Sequence, residues 1–191
     1  MKVNIFGLGY VGSVMAGCLA KAGHQVLGVD VQTERVDQVN RGESPVAEPG
    51  LAEYFAEAHA AGTLKATRDV SQAMAHGSIS FLCVGTPSKA DGSLDTSAVE
   101  NVCEEIGLAL AESPAKEPHT VVIRSTVMPG TLKRCEDKLR KATETEPGPR
   151  FRLLINPEFL REGSAKARRW PTSTSLPSPS WAAMIPPGPP P

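Results

Sequence analysis

Residues 3–12 read Val3-Asn4-Ile5-Phe6-Gly7-Leu8-Gly9-Tyr10-Val11-Gly12, a short apolar run followed by three glycines in the spacing G-x-G-x-x-G. A helical pattern over Val11–Lys21 comes next, then a second apolar run, Gln25–Val29, that ends on Asp30. In a strand–turn–helix unit of this kind the first glycine makes the tight turn. The second lets a diphosphate approach the backbone, and the third lets helix and strand pack closely. Anions rest on the free N–H groups of a helix N-terminus, where the dipole favours negative charge. Gly7, Gly9 and Gly12 are therefore expected to bind a dinucleotide. Asp30 lies 18 residues past Gly12, where an acceptor for the ribose hydroxyls is expected. A carboxylate there repels a 2′-phosphate, which favours NAD over NADP, although Arg35 could soften the repulsion. Two structural readings stand beside these, a glycine-rich turn used only for packing and an Asp that caps the following helix.

Working outward, short apolar runs alternate with helical patterns, the signature of βαβ units around a parallel sheet. Strands are expected over Val3–Phe6, Gln25–Val29, Leu64–Thr67, Ile79–Val84, Thr120–Arg124 and Arg152–Ile155. Helices are expected near Val11–Lys21, Thr33–Asn40, Leu51–Ala60, Thr96–Ala111 and Thr131–Lys141. Gly23, Gly42, Gly62 and Gly77 sit where helix C-caps or tight turns belong. The fold class that uses all of these is α/β, a Rossmann-type doubly wound parallel sheet of about six strands over residues 1–165. A disordered C-terminal tail, 166–191, is expected to follow. That tail holds 8 of the 17 prolines and no acidic residue, and it shows neither a helical nor a strand period.

Composition removes several function classes. Lys plus Arg (20) nearly balance Asp plus Glu (21), and only 5% of residues are aromatic. Neither a phosphate-backbone surface nor a base-stacking platform is indicated, so no nucleic-acid partner is expected. No segment reaches the ~18 apolar residues that span a membrane. Met15-Ala16-Gly17-Cys18 mimics a lipidated secretory signal. Asn4 and the three glycines interrupt its apolar stretch, however, and a strand-like segment follows directly. Cys18, Cys83, Cys103 and Cys135 form no C-x-x-C pair, so no zinc site or disulfide scaffold is indicated, and reduced cytoplasmic thiols are the simplest reading. Cys18, Cys83 and Cys103 are expected as small buried hydrophobes, with Cys135 partly exposed. None of the four histidines has a convincing partner.

Further motifs end the later strands. Phe81-Leu82-Cys83-Val84-Gly85-Thr86-Pro87, Arg124-Ser125-Thr126-Val127-Met128-Pro129-Gly130 and Asn156-Pro157-Glu158-Phe159-Leu160-Arg161-Glu162-Gly163 each reach the carboxyl edge of the sheet, where ligands bind. With GLGYVG and Glu48-Pro49-Gly50-Leu51, they resemble the UDP-glucose/GDP-mannose dehydrogenase family almost continuously over residues 1–165. The segments GLGYVGSVMAGCLA, GHQVLGVDV and CVGTPSKADGSLD are most similar to its GDP-mannose branch.

The resemblance implies an NAD-dependent oxidation of a sugar primary alcohol to a carboxylate by two successive hydride transfers. The substrate it implies is a nucleotide sugar, GDP-mannose ahead of UDP-glucose. It also implies that Tyr10, Val11, Asp30, Arg35, Thr86 and Thr126 contact NAD, with Thr86 and Thr126 at the nicotinamide end and Thr126 beside the reacting centre. Glu158 matches the family's acidic residue near the reacting carbon, where a carboxylate can position or deprotonate water. Phe159, Leu160 and Glu162, together with Glu158, match positions lining the nucleotide-sugar pocket. Pro157-Glu158 could alternatively be only a helix start. The family's nucleophilic cysteine lies beyond anything this chain matches. After Ala165 the composition switches abruptly, as a shifted reading frame in GC-rich coding DNA produces; a genuine short product with a disordered tail is the alternative. The chain alone is expected to be inactive, and a homodimer is expected only for a full-length parent.

Overall fold

A computed structural model describes residues 1–113 and 117–157. Six strands run in chain order as β1 (Lys2–Phe6), β2 (Gln25–Val29), β3 (Leu64–Thr67), β4 (Ile79–Leu82), β5 (His119–Ile123) and β6 (Phe151–Ile155). Six helices connect or flank them: α1 (Tyr10–Lys21), α2 (Thr33–Asn40), α3 (Leu51–Ala60), α4 (Val70–His76), α5 (Ser97–Glu112) and α6 (Thr131–Thr143). Every pairing is parallel and the sheet order is β3-β2-β1-β4-β5-β6. This is the doubly wound Rossmann-type sheet that the sequence predicts. The central strands are buried on both faces, which is why they read as continuous apolar runs.

Alternation along each strand divides the core in two. Val3, Ile5, Val26, Phe81 and Val122 pack under α1 and α3, with Phe55 fully buried among them. Phe6, Leu27, Leu82, Val121, Ile123 and Phe151 face α4, α5 and α6, where Ile106 and Leu139 are fully buried. A side chain of that size contributes roughly 1.5–3 kcal/mol through burial.

Four features depart from the sequence-based expectation. The seven-residue α4 was not anticipated; it is too short for its apolar period to register. Asp69 starts it, its side chain accepting from Ser71 N at 2.8 Å. Asn4, the polar break in the first apolar run, is fully buried and ties α4 down. Its Nδ2 donates to Ala73 O (2.8 Å), Gly77 O (3.1 Å) and Ser80 Oγ (3.2 Å). The Ser80 hydroxyl in turn bonds His119 Nε2 at 2.7 Å, so one histidine does have a buried partner. Cys135, expected near the surface, is fully buried on α6 because α6 lies flat against α5. The strand expected over Ile79–Val84 ends at Leu82, and the following residues turn outward to form a cleft wall. Among the described residues no helix is long and apolar enough to cross a membrane.

Candidate functional site

The chain leaves β1 and β4 in opposite directions around the sheet, which opens a crevice beyond the carboxyl ends of the strands. A cleft of about 700 Å³ occupies it, a volume suited to a small-molecule ligand. Its floor is the glycine turn. Gly7 adopts φ +90°, a conformation that L side chains rarely take, and its N–H donates to Val29 O at 2.8 Å. A Cβ there would also lie 2.9 Å from the Cys83 carbonyl oxygen. Gly12 does not line the cleft; a Cβ on it would run into the Gly7 carbonyl oxygen. Gly9 differs from both, because a Cβ on it would meet nothing within 4 Å. Gly9 also begins α1, which has no side-chain cap and no acid in its first turn. The positive end of that helix therefore faces an open, anion-sized space.

At the end of β2, Asp30 is only 5% exposed yet lines the cleft. Its Oδ2 accepts from Leu8 N at 2.6 Å and its Oδ1 from Gln32 N at 2.8 Å. The carboxylate thus caps the turn into α2, as one of its two expectations has it, and also braces the glycine turn, a role the motif does not announce. Arg35 reaches Oδ2 at 3.4 Å. Beside it stands Arg68, held at 3.1 Å by Thr33 Oγ1. No local motif marks Arg68; it reaches the cleft because β3 pairs with β2, which sets the end of β3 next to Asp30.

The opposite end of the cleft is built by the loops after β4 and β5. Thr86 Oγ1 donates to Thr126 O at 2.9 Å, and Ser125 Oγ donates to Val84 O at 2.6 Å. These bonds lock the two loops together with Thr86 and Thr126 on the cleft wall. Arg124 Nη1 donates to Asn156 O at 3.0 Å and to Asn156 Oδ1, which joins the end of β5 to the end of β6. Burial draws Arg124 below its ordinary pKa, partly offset by Cys83. Burial also pushes the Cys83 thiol up to about 12, so it is a protonated packing group at neutral pH. A third wall, unforeseen from the sequence, is one face of α5. Ala98, Asn101, Val102 and Glu105 recur there at helical spacing.

The cleft thus gathers Gly7, Gly9, Tyr10, Val11, Asp30, Arg35, Thr86 and Thr126, residues from four separate turns. The UDP-glucose/GDP-mannose dehydrogenase family, NAD binding domain, matches residues 1–168. The chain belongs to this family. As the family's NAD-binding domain it is 47% identical over 166 residues to GDP-mannose 6-dehydrogenase of Pseudomonas aeruginosa, covering 86% of this chain and 38% of that protein. UDP-glucose 6-dehydrogenase of the same organism is 40% identical over 167 residues, covering 86% and 36%. The crystal structure of a ternary complex of GDP-mannose dehydrogenase from Pseudomonas aeruginosa superposes with a TM-score of 0.83 at 46% identity, over 86% of this chain and 38% of that one. The chain spans less than two-fifths of the length of these relatives.

The domain's cofactor is NAD, and the residues present fit it. Gly9 leaves room over an uncapped helix start, and Asp30 offers a carboxylate edge at one end of the cleft. Glu158, Phe159, Leu160 and Glu162, the expected sugar-side residues, lie outside the described residues, as does the stretch 166–191. The last described residues, Asn156 and Pro157, stand at the same carboxyl edge, where Asn156 N donates to Ile123 O at 2.9 Å.

Among the described residues no His, Cys, Asp and Glu cluster is arranged to hold a metal ion. One contact of the Glu48-Pro49-Gly50-Leu51 segment was also not legible. Buried Glu48 accepts from the Tyr10 hydroxyl at 2.5 Å, which pins the loop before α3 to the first turn of α1.

Proposed function

We propose that the chain is the cofactor-binding part of a nucleotide-sugar 6-dehydrogenase that oxidises GDP-mannose to GDP-mannuronate. The observation that carries the cofactor side is the open space over Gly9, with Asp30 at one end of the same cleft and Thr86 and Thr126 at the other. The first turn of α1 holds the diphosphate, through the backbone of Tyr10 and Val11. Asp30 accepts from the ribose hydroxyls, while Arg35 and Arg68 balance its charge. Thr86 and Thr126 orient the nicotinamide end. NAD supplies a two-electron hydride acceptor, and conversion of a primary alcohol to a carboxylate removes two hydrides and adds one water oxygen.

Glu158, the residue after Pro157 in the sequence, is the acid–base group of this half and handles a water proton. Phe159, Leu160 and Glu162 contact the nucleotide sugar. Identity of 47% to a GDP-mannose enzyme against 40% to a UDP-glucose enzyme of the same organism favours GDP-mannose. Turnover depends on parts of those relatives that this chain does not span, so the chain alone binds cofactor without oxidising sugar.

Titration of the 191-residue chain with NAD and NADP, followed by calorimetry, tests the cofactor side. Saturable NAD binding is expected, with NADP weaker by about tenfold or more, equivalent to ~1.4 kcal/mol. Equal affinity for the two would remove Asp30 from the ribose site, and no binding would remove the reading itself. For the substrate, NADH formation by a full-length parent with GDP-mannose or UDP-glucose decides between the two sugars.

A further inference from the structure

Helices α5 and α6 run side by side in parallel, and their facing residues stay in register. Glu100 pairs with Arg134 at 2.8 Å and Glu104 with Lys138 at 2.6 Å. Between these two ion pairs the helices present Cys103 and Cys135 in the same core cluster, both free and both fully buried. One turn further on, a Cβ at Gly107 would come within 2.6 Å of Ala142 Cβ, so the helix axes are unusually close here. Two cysteines that serve only as small hydrophobes have no need to meet across a helix interface.

We propose that Cys103 and Cys135 are a redox pair that closes to an interhelical disulfide under peroxide. The assignment does not depend on the NAD reading. In the first step the Cys135 thiolate attacks a peroxide oxygen, the O–O bond breaks, and Cys135 becomes a sulfenic acid with release of water. Cys103 then attacks that sulfur, forming the S–S bond and releasing a second water. Overall two thiols lose two electrons and two protons to one hydrogen peroxide. A dithiol reductant reverses the step.

The two thiols are unequal in the way such a pair requires. The neighbouring Cys103 thiol lowers the pKa of Cys135, and Arg134 acts in the same direction against burial and Glu100, whereas Cys103 is held well above the usual thiol range. Reagent reaches them when α6 lifts from α5. That opening breaks both ion pairs, so oxidation is limited by local opening of this layer over β5 and β6.

The test treats the whole chain with hydrogen peroxide under native conditions and maps its peptides without reduction. The expected product is a Cys103–Cys135 linked peptide, two hydrogens lighter than its parts and released by dithiothreitol. Cys83, whose thiol is pushed to about 12, should remain alkylatable at the same dose. Cys103→Ser should abolish the link and leave a Cys135 sulfenic acid that dimedone traps. The proposal is overturned if both thiols stay reduced at a dose that oxidises half-buried Cys18, or if either pairs with a different cysteine. The wild-type map decides this even if the serine variant fails to fold.

Discussion

Gly9 and Gly12 belong to one motif, and alanine at each should fail in opposite ways. Gly9 has φ −71° and ψ −164°, backbone that any L residue adopts, and its added Cβ meets nothing within 4 Å. Gly9→Ala should therefore fold normally, with stability unchanged or raised by ~0.4–1 kcal/mol through the stiffer unfolded chain. Its methyl nevertheless fills the space over the start of α1. Displacing the diphosphate by the width of a methyl breaks at least one hydrogen bond from backbone to a charged oxygen, worth ~1.5–3 kcal/mol. NAD affinity should fall by roughly ten- to 150-fold. Gly12→Ala places its methyl against the Gly7 carbonyl oxygen and 3.3 Å from Cys83 Cβ. The nearest obstacle is backbone and cannot rotate away, so overpacking should cost ~1–3 kcal/mol, lowering Tm by roughly 2–12 °C. Paired thermal unfolding and NAD calorimetry on both variants read these effects. A Gly9→Ala protein that binds NAD like wild type would mean that the diphosphate does not lie over Gly9.

Three further outcomes follow from the polar core and a helix cap. Burial lowers the pKa of His119 from 6.5 to about 4. Below pH 6.5 the unfolded chain therefore binds a proton that the folded chain refuses, and stability present at neutral pH is lost as pH falls towards 4. Linkage puts the loss at ~2 kcal/mol between about pH 7.5 and 5. Urea midpoints at both pH values should show it in wild type and not in His119→Asn; equal slopes in the two proteins would remove His119 as the source. Asn4→Leu leaves the Ala73 and Gly77 carbonyls without their side-chain donor, and chemical denaturation should register a loss of ~2–4 kcal/mol. Asp69→Ala removes the cap of α4 and should cost ~1 kcal/mol in the same assay, with NAD affinity unchanged.

The residues legible from the sequence are those whose constraint is local. A positive-φ glycine, a helix start and a buried parallel strand each leave their mark within a few positions, so α2, α3, β2 and β3 match their expected bounds. The cleft lining at Gly7, Gly9, Asp30, Thr86 and Thr126 was legible for the same reason, since each follows a strand whose own pattern announces it. What was not legible is what the topology brings together. Arg68 reaches the cleft only because β3 lies next to β2, and the α5 face of Asn101 and Glu105 only because α5 packs beside the switch point. Asn4 meets Ser80 across 76 positions and His119 lies one bond further, so no local period could link them. Asp30 shows why the distinction matters for function. Its place in the motif suggests a ribose acceptor, while its bond to Leu8 N makes it a brace for the glycine turn as well. Any substitution at Asp30 therefore disturbs the glycine turn together with the carboxylate edge it presents to the cleft. Cofactor preference is better probed at Arg35 and Arg68, which share the same end of the cleft without touching the turn.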